Sequence, residues 1–161
     1  MEGVSRSLIE NALSQHSEMM MRIAFNYVKN KQDAEDIVQD VLLILIKKSP
    51  TFTDDAHLKR WLIRVTINES KSRLKAIKKG RESISDFTGE AYTDGAYPSG
   101  VMDEVMKLPE TDRAAVYLFY MEGYSAKEIA KILGKSENSV FMRLTRARKK
   151  LNLLSKVKRK S

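Results

Sequence analysis

Cysteine is absent from this 161-residue chain, so disulfides, thiolate metal centres and cysteine nucleophiles are excluded. Only two histidines occur, His16 and His57, and their distance in sequence argues against an imidazole-based metal cluster. The longest uninterrupted apolar run, Val41 to Ile46, is far short of a membrane span. The opening residues Met1 to Arg6 lack the apolar core of an export signal. These absences give the expectation of a cytoplasmic protein in a reducing compartment, without direct membrane insertion and without a metal or cofactor. Apolar residues make up 42% and charged residues 31%, a composition that folds. The length fits one ordinary domain or two small ones of roughly 70 residues each.

The formal charge is +8, and it is unevenly spread. Residues 1–79 carry 14 basic and 10 acidic side chains, and residues 102–161 carry 14 basic and 7 acidic. Between them, residues 80–101 hold Arg81 against Glu82, Asp86, Glu90 and Asp94, with four of the seven glycines and Pro98. That stretch has no helical period, and a structureless segment of its length is unusual inside one compact domain. It reads as a flexible acidic linker between two basic modules, 1–79 and 102–161. From Asn138 onward there are nine basic residues and no acid, a pattern that points to a polyanion partner.

The periodicity predicts an all-α fold. Ala34, Ile37, Val38, Val41, Leu42 and Leu45 recur at helical spacing, with Asn30 as N-cap and Asp33, Glu35 and Asp36 near the positive end of the helix dipole. Upstream, Met19, Met20, Ile23, Phe25, Tyr27 and Val28 predict a helix over 18–29. Ser49-Pro50 ends the second helix, and Thr51 to Ala56 forms a short polar loop around Phe52. A third helix follows with Leu58, Trp61, Leu62 and Val65 as its buried stripe. Its other side carries Arg60, Arg64, Asn68, Lys71 and Lys75 at spacings of three and four, so one face is basic or amide over about four turns. Such a face suits phosphate and base-edge contacts.

Near the C-terminus, Ser125-Ala126-Lys127-Glu128 is a capping-box pattern opening a helix with Ile129, Ala130, Ile132 and Leu133. Gly134 supplies the turn and Ser136 caps the next helix. There Val140, Leu144, Ala147 and Leu151 form the buried stripe, with Arg143, Arg146 and Lys150 beside it. Small Ala130, turning Gly134 and wedging Val140 are the packing signature of a helix-turn-helix, whose second helix enters the DNA major groove. Gly134-Lys135-Ser136 is not a phosphate-binding loop, because Ile129 stands where that loop needs glycine. Asp33, Glu35, Asp36 and Asp40 fan over too wide an arc to hold a metal. No catalytic constellation is present.

Taken together, these residues resemble the extracytoplasmic-function (ECF) group of bacterial RNA polymerase sigma factors over nearly the whole chain. Asp33-Ala34-Glu35-Asp36-Ile37-Val38-Gln39-Asp40-Val41 looks like the family's second region, and Trp61-Leu62-Ile63-Arg64-Val65 with Asn68 looks like its promoter-melting helix. Leu108-Pro109-Glu110-Thr111-Asp112-Arg113, Glu122-Gly123-Tyr124-Ser125, Glu128-Ile129-Ala130 and Arg143-Leu144-Thr145-Arg146-Ala147-Arg148 look like the fourth region. The resemblance implies promoter-directed transcription initiation, with core RNA polymerase (its clamp coiled coil and flap) and promoter DNA as partners. It also implies an anti-sigma factor, membrane-anchored in many cases. Asp36, Gln39 and Asp40 would contact the polymerase clamp. Phe52, Arg60, Trp61, Arg64, Asn68 and Lys71 would engage the −10 element, Phe52 helping to hold an extruded base, although its place on the apolar stripe favours a core role for Trp61 over stacking on DNA. Ser139, Met142, Arg143, Thr145, Arg146 and Lys150 would face the −35 element.

One position departs from the family pattern. Phe141, beside Met142, stands where a basic residue often begins the base-reading surface. These two apolar side chains either pack on thymine methyls or, for Phe141, enter the core. A stand-alone helix-turn-helix regulator remains the alternative. It predicts dimers on palindromic operators, and the basic helix of the first module counts against it. A nucleic-acid-modifying enzyme would need an acid cluster or nucleophile that is not found.

Overall fold

The computed structural model describes residues 6–80 and 101–151, and among these the secondary structure is helical without strands. The chain divides into two compact units. In the first, α1 (Arg6–Val28), α2 (Lys31–Lys48) and α3 (Asp55–Gly80) each pack against the other two. The second holds α4 (Val101–Val105), α5 (Glu110–Val116), a π-helical turn (Tyr117–Met121), α6 (Ala126–Leu133) and α7 (Glu137–Lys150). Most of the segment expected as a linker, 81–100, and the last ten residues, with Lys156, Lys158, Arg159 and Lys160 of the basic run, lie outside the described residues. The ends of that segment belong to helices: Gly80 closes α3, and buried Val101 opens α4.

Helix α1 begins twelve residues before the expected start at Glu18. Its first half buries only Ala12 and His16, so the apolar stripe that marks its second half fades there. Asn30 caps α2 as expected, its Oδ1 accepting the Asp33 N–H at 2.8 Å. At the other end Ser49 takes the left-handed conformation, φ 44°, and its N–H donates to the Leu45 carbonyl. Pro50 leaves Ser49 little access to the right-handed helical region, and the helix stops there.

The buried stripe of α3 is rotated from the expected one. Leu58, Leu62, Ile63, Thr66, Ile67 and Ser70 face α1 and α2, while Trp61 and Val65 are half-buried at its edge. The Ser70 hydroxyl is reconciled with burial by donating to the Thr66 carbonyl one turn back, at 2.7 Å. Opposite this stripe, Arg60, Arg64, Asn68, Lys71 and Lys75 are all exposed.

In the second unit Ser125 Oγ accepts the Glu128 N–H at 3.1 Å, and Glu128 Oε1 accepts the Ser125 N–H at 2.8 Å. Gly134 stands at φ 68°, the left-handed turn that a side chain would strain. Ser136 Oγ accepts the Ser139 N–H at 3.0 Å and starts α7. Ala130, Val140, Leu144, Ala147 and Leu151 are buried, and α7 packs against both α6 and α5. This is the helix-turn-helix that the sequence predicts.

Truncating Leu62, fully buried between three helices, removes close-packed contacts. Leu62→Ala is expected to destabilise the first unit by about 3 kcal/mol, whereas exposed Lys71→Ala stays within about 0.5 kcal/mol. Urea denaturation of the full chain followed by circular dichroism measures both.

Candidate nucleic-acid interface

The loop leading into α3 is organised around an aromatic trio. Phe52 packs edge-on against His57, with centroids 5.1 Å apart, and against Trp61 at 5.8 Å. His57 Nδ1 accepts the Thr53 N–H at 3.2 Å, and Asp54 Oδ1 caps the helix by accepting the His57 N–H at 2.8 Å. Phe52, His57 and Trp61 are all half-buried, each with surface toward solvent. Helical spacing puts Trp61 in line with Arg64, Asn68 and Lys71. Trp61 is therefore neither core nor free platform: one edge supports Phe52 and the rest borders the cationic ridge.

Helix α3 is anchored near both ends by polar side-chain contacts. At its start, Asp55 Oδ1 meets buried His16 Nε2 at 3.2 Å and accepts from Asn11 Nδ2 at 3.1 Å. The His16 hydrogen bond lowers the Asp55 carboxyl below its usual range. Desolvation opposes that shift, and Asn11 and Lys59 add to it. Toward its end, Arg73 Nη2 donates to Asp36 Oδ2 at 2.8 Å and Asp33 Oδ1 at 3.2 Å. The two aspartates thus converge, which the reading of a fanned acidic helix did not foresee. They converge on a guanidinium of α3, 37 and 40 residues away in sequence.

The three α2 residues assigned to the polymerase contact differ in setting. Asp36 is tied to Arg73, Gln39 is exposed, and Asp40 is half-buried. Beyond Gln39 on the same side, Leu43 and Ile46 are exposed. Sequence reasoning missed them because an apolar residue within an apolar run reads as core.

In the second unit, Asp112 of α5 is 1% exposed and holds two arginines of α7. Arg143 Nη1 donates to Asp112 Oδ1 at 3.1 Å, and Arg146 Nη2 spans both oxygens at 3.1 and 3.3 Å. Two of the expected −35 contacts are thus engaged inside the unit. Arg148 reaches the Tyr120 hydroxyl at 3.1 Å. Ser139 and Thr145 are half-buried, and Lys149 and Lys150 are exposed. Phe141 is 59% exposed and Met142 53%, so the core alternative for Phe141 is overturned. The second turn of α7 presents two large apolar groups to solvent.

Two helical units, one with a cationic ridge beside an aromatic loop and one with a helix-turn-helix, define a DNA-binding protein. Residues 12–80 match the family described as Sigma-70 region 2, and residues 101–151 match Sigma-70, region 4. The chain is 30% identical over 153 residues to the ECF RNA polymerase sigma factor SigM of Mycobacterium tuberculosis, covering 91% of this chain and 76% of that one. It is 26% identical over 152 residues to the RNA polymerase sigma factor SigV of Bacillus subtilis, covering 92% of each. Among solved structures it resembles the sigma factor RpoE of Bartonella quintana, in complex with the anti-sigma factor NepR, at a TM-score of 0.74 and 24% identity, covering 94% and 98%. It also resembles CnrH in complex with the cytosolic domain of CnrY, at 0.64 and 22%, covering 95% and 90%. The chain belongs to the ECF group of RNA polymerase sigma factors, and its function is promoter recognition in transcription initiation.

Asp55 contributes stability above the unfolded carboxylate range, about pH 4, and the contribution is lost as pH falls through its lowered folded value. Because the carboxylate is largely exposed, the loss in Asp55→Asn is expected to be under about 1 kcal/mol at about pH 5 and to shrink steadily as the solution is made more acidic than the unfolded carboxylate range. Denaturant titrations of both proteins across that range measure the difference.

Proposed function

We propose that the two units divide initiation between them. The exposed α2 row of Gln39, Leu43 and Ile46, with Asp40 at its edge, docks on the clamp coiled coil of core RNA polymerase. Asp36 borders this surface while holding Arg73. The α3 ridge of Arg60, Arg64, Asn68 and Lys71 takes the non-template strand of the −10 element, and the Phe52–Trp61 corner receives an unstacked base. Helix α7, with Ser139, Met142, Thr145 and Lys150 toward DNA, reads the −35 element as a duplex, its partner on the polymerase being the flap. The domain limits then shift by one residue at each side of the linker, to 1–80 and 101–161, with 81–100 between them.

The observation that carries this reading is the ridge itself. Five cationic or amide side chains project from one face of α3, opposite a fully packed stripe. Exposing a strand costs a few kcal/mol per unstacked base, and stacking surfaces with a cationic groove offset that cost. A stand-alone regulator has no use for such a ridge next to an exposed apolar α2 surface. The protein then works in the cytoplasm with the polymerase, and among the described residues no helix is long and apolar enough to cross a membrane. An anti-sigma protein is the proposed inhibitor, supported by the complexes in which the similar folds of RpoE and CnrH were solved.

Run-off transcription with purified core polymerase tests the assignment. Gln39→Ala combined with Leu43→Ala is expected to abolish holoenzyme formation in gel filtration while circular dichroism stays unchanged. Undiminished association contradicts the docking surface. Replacing Arg60 and Lys71 by alanine removes two phosphate contacts. The slope of log affinity against log salt, for holoenzyme on a pre-melted promoter, should fall by about 1.4.

A further inference from the structure

The outward surface of α7 is chemically divided, and Asp112 makes the division. It draws the Arg143 and Arg146 guanidinia back toward α5, accepting from them at 3.1 Å each. Arg143 Nε is also buried, without an acceptor among the described residues. A guanidinium whose N–H groups are spent on a carboxylate does not offer its full fork to guanine O6 and N7. What projects instead from the second turn is Phe141 beside Met142, both more than half exposed. The buried positions of that turn, Val140 and Leu144, already fill the core.

Two adjacent large apolar side chains on an otherwise polar helix mark a surface that a partner covers. The surroundings say which partner. Asn138 is one turn before, Lys149 and Lys150 are exposed two turns beyond, and Lys135 precedes the helix. An amide and a set of cations frame the apolar pair, as suits base edges and flanking phosphates. In the major groove the apolar feature presented to a recognition helix is the C5 methyl of thymine.

We infer that Phe141 and Met142 are specificity determinants that read adjacent thymine methyls in the duplex element bound by α7. The inference rests on the proposed assignment of α7 to that element. It adds the base class that this chain reads there, and it assigns that choice to an apolar pair rather than to arginine.

The test uses holoenzyme assembled from the full chain and core polymerase. It selects duplexes from a library randomised through the upstream element, and run-off transcription scores the selected promoters. Adjacent thymines on one strand are expected. Replacing each by deoxyuridine, which lacks only the methyl, should weaken binding about fourfold per site. The doubly substituted protein, Phe141→Ala with Met142→Ala, should lose that sensitivity and keep its fold, since both side chains are exposed. Selection of G·C pairs at these positions, or indifference to deoxyuridine while initiation proceeds, overturns the inference and leaves the proposed function standing. Unchanged affinity and methyl sensitivity in the double variant assigns the apolar pair to a protein surface and equally overturns it. Failure to initiate from any selected duplex removes both.

Discussion

Carboxylates placed between helices determine which cations of this basic protein are left for DNA. Asp112, almost fully buried, is surrounded by the guanidinia of Arg143 and Arg146. An unpaired carboxylate there would cost several kcal/mol of desolvation, so the two arginines are held to α5 by the same interaction that makes the acid tolerable. The pairing fixes α7 against α5 and, at the same time, sets the chemistry of its outer face. In the first unit Asp33 and Asp36 do the same for Arg73, which joins α2 to α3 without entering the ridge. Each pair stiffens a junction between helices and engages its arginines there.

Such pairing gives the two units different surfaces from similar material. On α3 the paired arginine lies two residues beyond Lys71, and the ridge itself remains solvent-facing over about four turns. A ridge of that kind suits a nucleic-acid backbone and tolerates any sequence, so under the proposed assignment selectivity at the −10 element falls to the loop that meets it. Phe52, propped by His57 and Trp61, stands at that junction. On α7 Arg143 and Arg146 are tied to Asp112, the Arg146 side chain staying 50% exposed, and beside them Phe141 and Met142 form an exposed apolar pair that contributes little long-range attraction. Affinity there falls to Lys149, Lys150 and the turn residue Lys135.

Helices α2, α3, α6 and α7, with the caps of α2, α6 and α7 and the turn before α7, were legible because each rests on residues close in sequence. Helices α4 and α5 and the π-helical turn carried no pattern that was read as helix. Asn30, Ser125, Glu128, Gly134 and Ser136 act within four positions of themselves, and the α3 basic stripe follows from spacing alone. What stayed hidden depends on distance or on half-burial. Asp33 and Asp36 meet an arginine some forty residues on, and Asp112 meets two that are 31 and 34 residues on. No local pattern announces such partners. The first half of α1 was missed because a buried histidine stands in its apolar row, and its carboxylate partner Asp55 sits 39 residues away. Trp61 and Val65 were assigned to the core because hydrophobicity, unlike burial, is indifferent to a rotation of the helix by part of a turn. Leu43 and Ile46 lie outside the predicted α2 stripe and are indeed exposed, but nothing local marks them as an interface.

The magnitudes decide how selectivity is shared. A bidentate arginine–guanine contact discriminates by about 1–3 kcal/mol, whereas one buried methyl supplies about 0.8 kcal/mol. A recognition helix that exchanges the first for the second reads each base less stringently, although the groove still admits only the sequence that offers methyls where Phe141 and Met142 arrive. Under the proposed assignment the larger share of promoter choice then falls on the first unit, where a base would be both extruded and held. An error there forfeits the stabilisation of the open strand as well as a contact. A duplex contact of modest stringency suits this order of events. In the proposed assignment Lys135, Lys149 and Lys150 supply the phosphate attraction that brings the holoenzyme to candidate sites, and strand opening over α3 rejects most of them.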